Sequence, residues 1–334
     1  MRKTHKYLSL LALGVVLMAG VSSCTKNTVD PNPSTPPQKS ITEIVATDKN
    51  FSILRAAVTR ANLTGALSAA GPLTLFAPNN DAFKASGLDS VTVAKMDPAA
   101  LANVLRYHVV GSAVKSSDVK AGVNNAVTTL NGTAYASNFV YGTGSTPVSY
   151  GVSVNGSRVT LANIAATNGI VHVVDAVIVP PAQTVVGLVV ADASFSSLRA
   201  AVVRAGLDGA LAAAGPLTVF APNNAAFQKF FNVTTNAEAE AKINALPIAT
   251  LTKILTYHVV SGRVYSTNFT PKALNIAGGV PVPGPVKMLS NDNLTVSGDL
   301  KLNDGAKDVN IIKGNLSVTN GVVHVIDNVL VPTP

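Results

Sequence analysis

Thr74-Leu75-Phe76-Ala77-Pro78-Asn79-Asn80-Asp81-Ala82-Phe83 returns, with two positions changed, as Thr218-Val219-Phe220-Ala221-Pro222-Asn223-Asn224-Ala225-Ala226-Phe227. The copy is part of a longer one. Val45–Phe83 aligns without gaps to Val189–Phe227, and 28 of 39 positions are identical. Tyr107-His108-Val109-Val110 recurs as Tyr257-His258-Val259-Val260. Asn168-Gly169-Ile170-Val171-His172-Val173-Val174-Asp175 recurs as Asn320-Gly321-Val322-Val323-His324-Val325-Ile326-Asp327. The offset grows from 144 to 150 to 152, as small loop insertions would make it. A period of this length is that of a whole domain, not of a solenoid unit. The chain therefore divides into a domain at 39–180 and a second at 184–334, joined by Pro180-Pro181-Ala182-Gln183. So brief a linker predicts a restricted mutual orientation.

Each copy reads as helices first and strands afterwards. Ser40 with Glu43 forms the pattern of a capping box, of which Thr184 and Gly187 keep only half. Phe51, Leu54, Val58 and Ala61 fall on one helical face. A short helix is expected around Ala66–Ala70, stopped by Gly71-Pro72. Leu73–Phe76 reads as a strand, and Ala77-Pro78-Asn79 as a turn whose Asn caps the helical turn holding Phe83. Asp97-Pro98 opens a further helix that runs to about Tyr107. From Val109 to Val177 the chain is rich in Val, Thr, Asn and Gly. Alternating runs meet at Asn131-Gly132, Asn155-Gly156 and Asn168-Gly169, the signature of hairpins. This order predicts an α+β domain with an antiparallel sheet or small sandwich. Phe76, Phe83, Phe220 and Phe227 are expected core anchors.

The three blocks resemble the fasciclin (FAS1) family. Thr74–Phe83 and Thr218–Phe227 match its first block, with Asn79 and Asn223 standing for the usual Thr or Ser. Tyr107-His108 and Tyr257-His258 match its Tyr-His block. The His-bearing block is complete twice, ending at Pro180 and Pro332. The resemblance implies two domains, each a wedge-shaped antiparallel β-sandwich with several helices packed alongside. It implies extracellular or surface placement and adhesion to proteins, matrix or polysaccharide. It also makes Tyr107, His108, Tyr257 and His258 the candidate binding region. The chain carries neither Asp-Ile nor Arg-Gly-Asp, so an integrin is not the expected partner.

The N-terminus adds an address. Residues 1–23 read as an export signal: Arg2, Lys3, His5 and Lys6, then an apolar stretch too short to span a bilayer. Val21-Ser22-Ser23-Cys24 is similar to a bacterial lipobox. Cys24 is the only cysteine in the chain, so it can form no disulfide within it. The resemblance makes it the lipidated mature N-terminus, and two or three acyl chains on one residue anchor stably where one does not. Residues 24–38, with Pro31, Pro33, Pro36 and Pro37, read as a tether reaching roughly 40 Å in polyproline geometry. With Thr25-Lys26 following Cys24, an outer-membrane lipoprotein is expected, on the surface or the periplasmic face.

Composition excludes some functions. The formal charge is +8, from 25 Lys and Arg against 17 Asp and Glu. Losing Arg2, Lys3 and Lys6 with the signal leaves 22 against 17, or +5. These charges are scattered, without the clusters and interleaved aromatics of a nucleic-acid surface. No cofactor is expected. The four histidines of the mature chain lack metal-site spacing. His172 with Asp175, and His324 with Asp327, could suggest an oriented base. A nucleophile elbow is absent, however, and Gly142-Thr143-Gly144 lacks the third glycine of a dinucleotide loop. The histidines therefore read better as buried, neutral and hydrogen-bonded, and Asp175 and Asp327 as caps. Adhesion without catalysis is the main expectation. The alternative is an envelope protein that binds a small ligand or glycan, or a cryptic hydrolase, which predicts a deep pocket lined by polar groups.

Overall fold

Capping decides where the first helices start. Ser40 accepts from the Glu43 amide while Glu43 reaches back to the Ser40 amide, so the expected box forms and α1 (Ile41–Thr47) follows. In the second repeat Thr184 alone caps the corresponding helix, accepting from the Gly187 amide. The structure is a computed structural model, and it describes residues 38–120, 122–141, 148–268, 286–290, 292–296, 301–303 and 308–332. The export signal, Cys24 and the tether up to residue 37 lie outside the described residues, as does Gly142-Thr143-Gly144.

In the first repeat the Phe51 stripe is split. Phe51 ends a short 3-10 turn begun by the Asp48 cap, and α2 (Ser52–Arg60) carries Leu54 and Val58 inward. The short helix α3 (Thr64–Leu67) starts and stops earlier than its composition suggests. Then come β1 (Leu73–Pro78), α4 (Asn80–Ala85), α5 (Ser90–Lys95), α6 (Pro98–Tyr107) and β2 (Val109–Val110). Asn79, Asp89 and Asp97 cap the three helices in turn. Five strands complete the repeat: β3 (Gly122–Thr129), β4 (Gly132–Tyr141), β5 (Val148–Val154), β6 (Ser157–Ala166) and β7 (Gly169–Val174).

The second repeat follows the same order. Its helices are α7 (Val185–Ala191), α8 (Ser196–Arg204) and α9 (Asp208–Ala212), then after β8 (Leu217–Pro222) come α10 (Asn224–Phe231), α11 (Asn236–Ala245) and α12 (Ile248–Thr256). Its later strands are β9 (Val259–Ser261), β10 (Val286–Lys287), β11 (Asn293–Val296), β12 (Lys301–Asn303), β13 (Asp308–Val318) and β14 (Gly321–Ile326).

The sheets are mixed where alternation alone suggested antiparallel pairing. The two motif strands β1 and β7 run side by side in parallel, with Phe76 opposite His172. The same pairing joins β8 to β14, with Phe220 opposite His324. Parallel neighbours need a long crossover, and here nearly the whole domain supplies it. The remaining ladders are antiparallel. They close the first repeat into a barrel in the order β1 to β7, and give the second a sheet in the order β10-β11-β12-β13-β14-β8-β9.

β1 separates two cores, because successive side chains point to opposite faces. Leu73, Leu75 and Ala77 face the helices, together with Leu54, Phe83 and Leu101. Phe76 faces the barrel interior with Tyr107, Val154 and Val174. β8 divides the second repeat in the same way, with Val219 on the helical side and Phe220 on the other. Gly71 has φ of 72°, and a Cβ there would lie 2.2 Å from the Asn168 carbonyl. Only glycine admits that approach between the start of β1 and the turn before β7. Among the described residues, no single helix is long and apolar enough to cross a membrane.

Candidate functional site

The Tyr-His block lies inside the protein, which corrects its reading as a binding region. Tyr107, His108, Tyr257 and His258 are each at most 2% exposed. The physical reason is their position: they end α6 and α12 just where the chain turns into the sheet, beneath the last segment of each repeat. His108 Nδ1 donates to the Val104 carbonyl at 2.8 Å, and Nε2 accepts from the Ile178 amide at 3.1 Å. His258 does the same with Ile254 (2.8 Å) and Leu330 (3.0 Å). Only the neutral ring with its proton on Nδ1 satisfies both partners. Each histidine thus closes a helix C-terminus and pins the strand exit to it. Burial pushes His108 down to about 4, against which the Val104 carbonyl acts more weakly.

The second histidine of each repeat is held in the opposite tautomer. His172 Nε2 donates to the Val114 carbonyl at 2.8 Å, and Nδ1 accepts from the Asn163 amide at 3.2 Å. Asn163 presents that amide because β6 is irregular there and Asn163 adopts a φ of 61°. His324 repeats the arrangement with Val264 (2.8 Å) and Asn315 (3.4 Å). The rings stack on Phe76 and Phe220, at 5.5 and 5.6 Å between centroids. Burial lowers His172 and pushes His324 down to about 4.

The aspartates work elsewhere. Asp175 accepts from the Ser157 hydroxyl (3.0 Å) and the Arg158 amide (2.7 Å). Asp327 accepts from the amide and side chain of Asn310, and lies 3.7 Å from Lys229. Both are clasps between neighbouring strands, and the imidazole nitrogens of His172 and His324 reach backbone groups. Phe76, Phe83, Phe220 and Phe227 are buried. Pro78 and Pro222 end their strands, and Asn79 and Asn223 cap the next helices through the Ala82 and Ala226 amides. Among the described residues, no group of three or more His, Cys, Asp or Glu could hold a metal ion.

What the sequence reading missed is the joint between the repeats. Asn155, at the β5–β6 turn with φ of 48°, donates to the Tyr107 hydroxyl at 2.8 Å. Its carbonyl oxygen accepts from the Tyr135 amide (2.8 Å) and, across the boundary, from the Tyr265 hydroxyl (3.2 Å). Tyr265 also meets Ser317 at 3.3 Å. Around this buried line, Arg263 lies 4.5 Å over the Tyr135 ring, Ser153 bonds Thr267 at 3.1 Å, and Asn124 donates to the Arg263 carbonyl at 2.8 Å. Gly156 packs so closely on Asn315 that a Cβ would lie 2.4 Å from its carboxamide. A signal was present in the sequence. At positions matched by the repeat, Arg263 and Tyr265 replace Ala113 and Lys115, which carry no such groups.

The fasciclin domain family matches residues 49–180 and again 193–332. Protein sll1483 of Synechocystis is 36% identical over 173 residues, covering 51% of this chain and 90% of that protein. Transforming growth factor-beta-induced protein ig-h3 of Sus scrofa is 31% identical over 267 residues, 78% of this chain but 35% of the relative. The chain thus spans about a third of that longer protein. A FAS1 domain pair from the insect cell adhesion molecule Fasciclin I aligns over 86% of this chain and 95% of that one, at 21% identity and a TM-score of 0.39.

Proposed function

The chain belongs to the fasciclin family, and from that premise we propose that it is a cell-envelope adhesion module that holds an extracellular protein or polysaccharide and catalyses nothing. The joint between the repeats carries this reading. A buried line from Tyr107 through Asn155 to Tyr265 and Ser317 holds the two domains in one orientation. Two surfaces fixed in one body can engage a partner together, so the second contact forms at high effective concentration. The histidines support the absence of catalysis, because both ring nitrogens of each are already committed to backbone groups. With the Tyr-His block buried, the partner is expected on the exposed side chains, outside the joint, of the segments that differ between the repeats, Lys84–Met96 against Gln228–Leu246 and Val114–Asn163 against Val264–Asn315.

Membrane attachment through a lipid on Cys24, at the outer membrane, belongs to the same proposal and rests on the Val21–Cys24 sequence. The decisive experiment has two arms. Protease shaving of intact cells should release the folded part if it faces the medium. Purified chain should bind matrix protein, polysaccharide or cells above background. A chain that binds none of these, yet turns over a small molecule, is not an adhesion module.

A further inference from the structure

The two repeats differ in the cavity between the helices and the first strand. In the first repeat, the space between the helices and β1 is only about 20 Å³. In the second, the corresponding space is an open pocket of about 300 Å³ between α7, α8, α9, β8 and α12. Packed cores hold few voids larger than a water, so a pocket of this size calls for an occupant.

Its origin can be read position by position. Inside, three side chains are shortened: Val185 stands for Ile41, Val219 for Leu75 and Thr256 for Arg106, whose long stem helps cover the smaller space. The burial of the following loop changes with them. Leu207 is only half-buried, where its counterpart Leu63 is buried. At the rim the changes run toward more apolar groups. Val186, Val190 and Val203 replace Thr42, Ala46 and Thr59. Relaxed packing would empty the interior, but it would not make an exposed rim more apolar.

The mouth holds a cation with spare capacity. In the first repeat Arg55 donates to the Ala46 carbonyl at 2.7 Å. Its counterpart Arg199 lines the pocket mouth, is exposed, and makes no hydrogen bond or ion pair with the described residues. Asp208 also lines the pocket, in the first turn of α9. An aliphatic slot with an unpaired guanidinium at its entrance suits an unbranched hydrocarbon chain bearing a carboxylate. We propose that this pocket of the second domain binds a free fatty acid, with its chain among the valines and leucines and its carboxylate on Arg199. The volume admits on the order of ten methylene groups, taking each to fill about the 30 Å³ of a water. Binding in this pocket does not require the adhesive function.

Titration calorimetry of the purified full-length chain with laurate tests the assignment. Saturable binding is expected. Val185→Ile, Val219→Leu and Thr256→Arg together rebuild the first repeat's lining, and should weaken laurate about tenfold or more with the melting temperature held or raised. Arg199→Gln should weaken laurate several-fold and leave dodecanol unaffected. Absence of saturable laurate binding overturns the proposal, as does laurate binding that survives the triple exchange in a folded protein. Binding to anionic phospholipid vesicles without binding of laurate overturns it too, assigning the rim to a membrane surface. Equal loss of laurate and dodecanol in Arg199→Gln removes the carboxylate from the assignment.

Discussion

At the scale of single residues, the histidines are structural clasps with a defined pH signature. His108 and His324 are neutral in the fold and held near 4, below the ordinary value of 6.5, chiefly by burial. Above about 6.5 neither state binds the proton, so these groups do not alter stability. Between about 6.5 and 4 the unfolded chain takes up a proton that the fold refuses, and stability falls as the pH falls. Each group contributes roughly 3 kcal/mol over that range. Urea midpoints compared at about pH 7 and pH 4.5 should show the drop; a flat midpoint contradicts the buried neutral assignment. His108→Ala leaves the Ile178 amide without its partner and removes a buried ring, and should cost about 2–4 kcal/mol in chemical denaturation. Ser197 offers the opposite case. It occupies the place of Ile53, is fully buried, and its hydroxyl has no partner. Ser197→Ala should therefore raise stability by about 1 kcal/mol, seen as a higher midpoint.

Single elements show how much was legible and how much was not. Helix starts were readable because a cap needs only side chains a few residues away, as at Ser40 with Glu43, Asn79 and Asp97. The hairpin turns at Asn131-Gly132, Asn155-Gly156 and Asn168-Gly169 were readable for the same local reason. The β5–β6 turn proved to carry more than its dipeptide announces. Gly156 has φ of 78° and abuts Asn315, which itself holds the Ser266 amide and hydroxyl. Gly156→Ala should cost about 2 kcal/mol from the left-handed backbone and the close approach together. Thermal melts would show it, and a melt equal to wild type would mean that the two repeats do not touch there.

For the whole molecule, the joint makes a cooperative prediction. Residues 38–334 form one compact unit. With Asn155 in place, the two domains should unfold in a single calorimetric transition. Asn155→Ala removes the shared partner of Tyr107, Tyr135 and Tyr265. The transition should then split in two, and small-angle scattering should show a larger radius. A single transition of unchanged width in the variant would assign the coupling to other contacts. Arg263 and Tyr265 have no counterparts at Ala113 and Lys115, so the first domain lacks the face that receives a hairpin tip. The contact is therefore not built to repeat along a chain of such molecules.

The duplication, the order of helices before strands, the caps and turns, and the phenylalanines that go inside were all legible in the amino-acid order. All of these depend on neighbours close in the chain or on comparing one repeat with the other. Tertiary structure decided the parallel pairing of β1 with β7, the burial of the Tyr-His block, the joint at Asn155 and the open pocket under α9. Each depends on distances between groups about 40 to 160 residues apart, where a methylene lost at Val219 or a left-handed turn at Asn155 acquires meaning only from what packs against it. The motif that announced the family thus turned out to be its internal clasp.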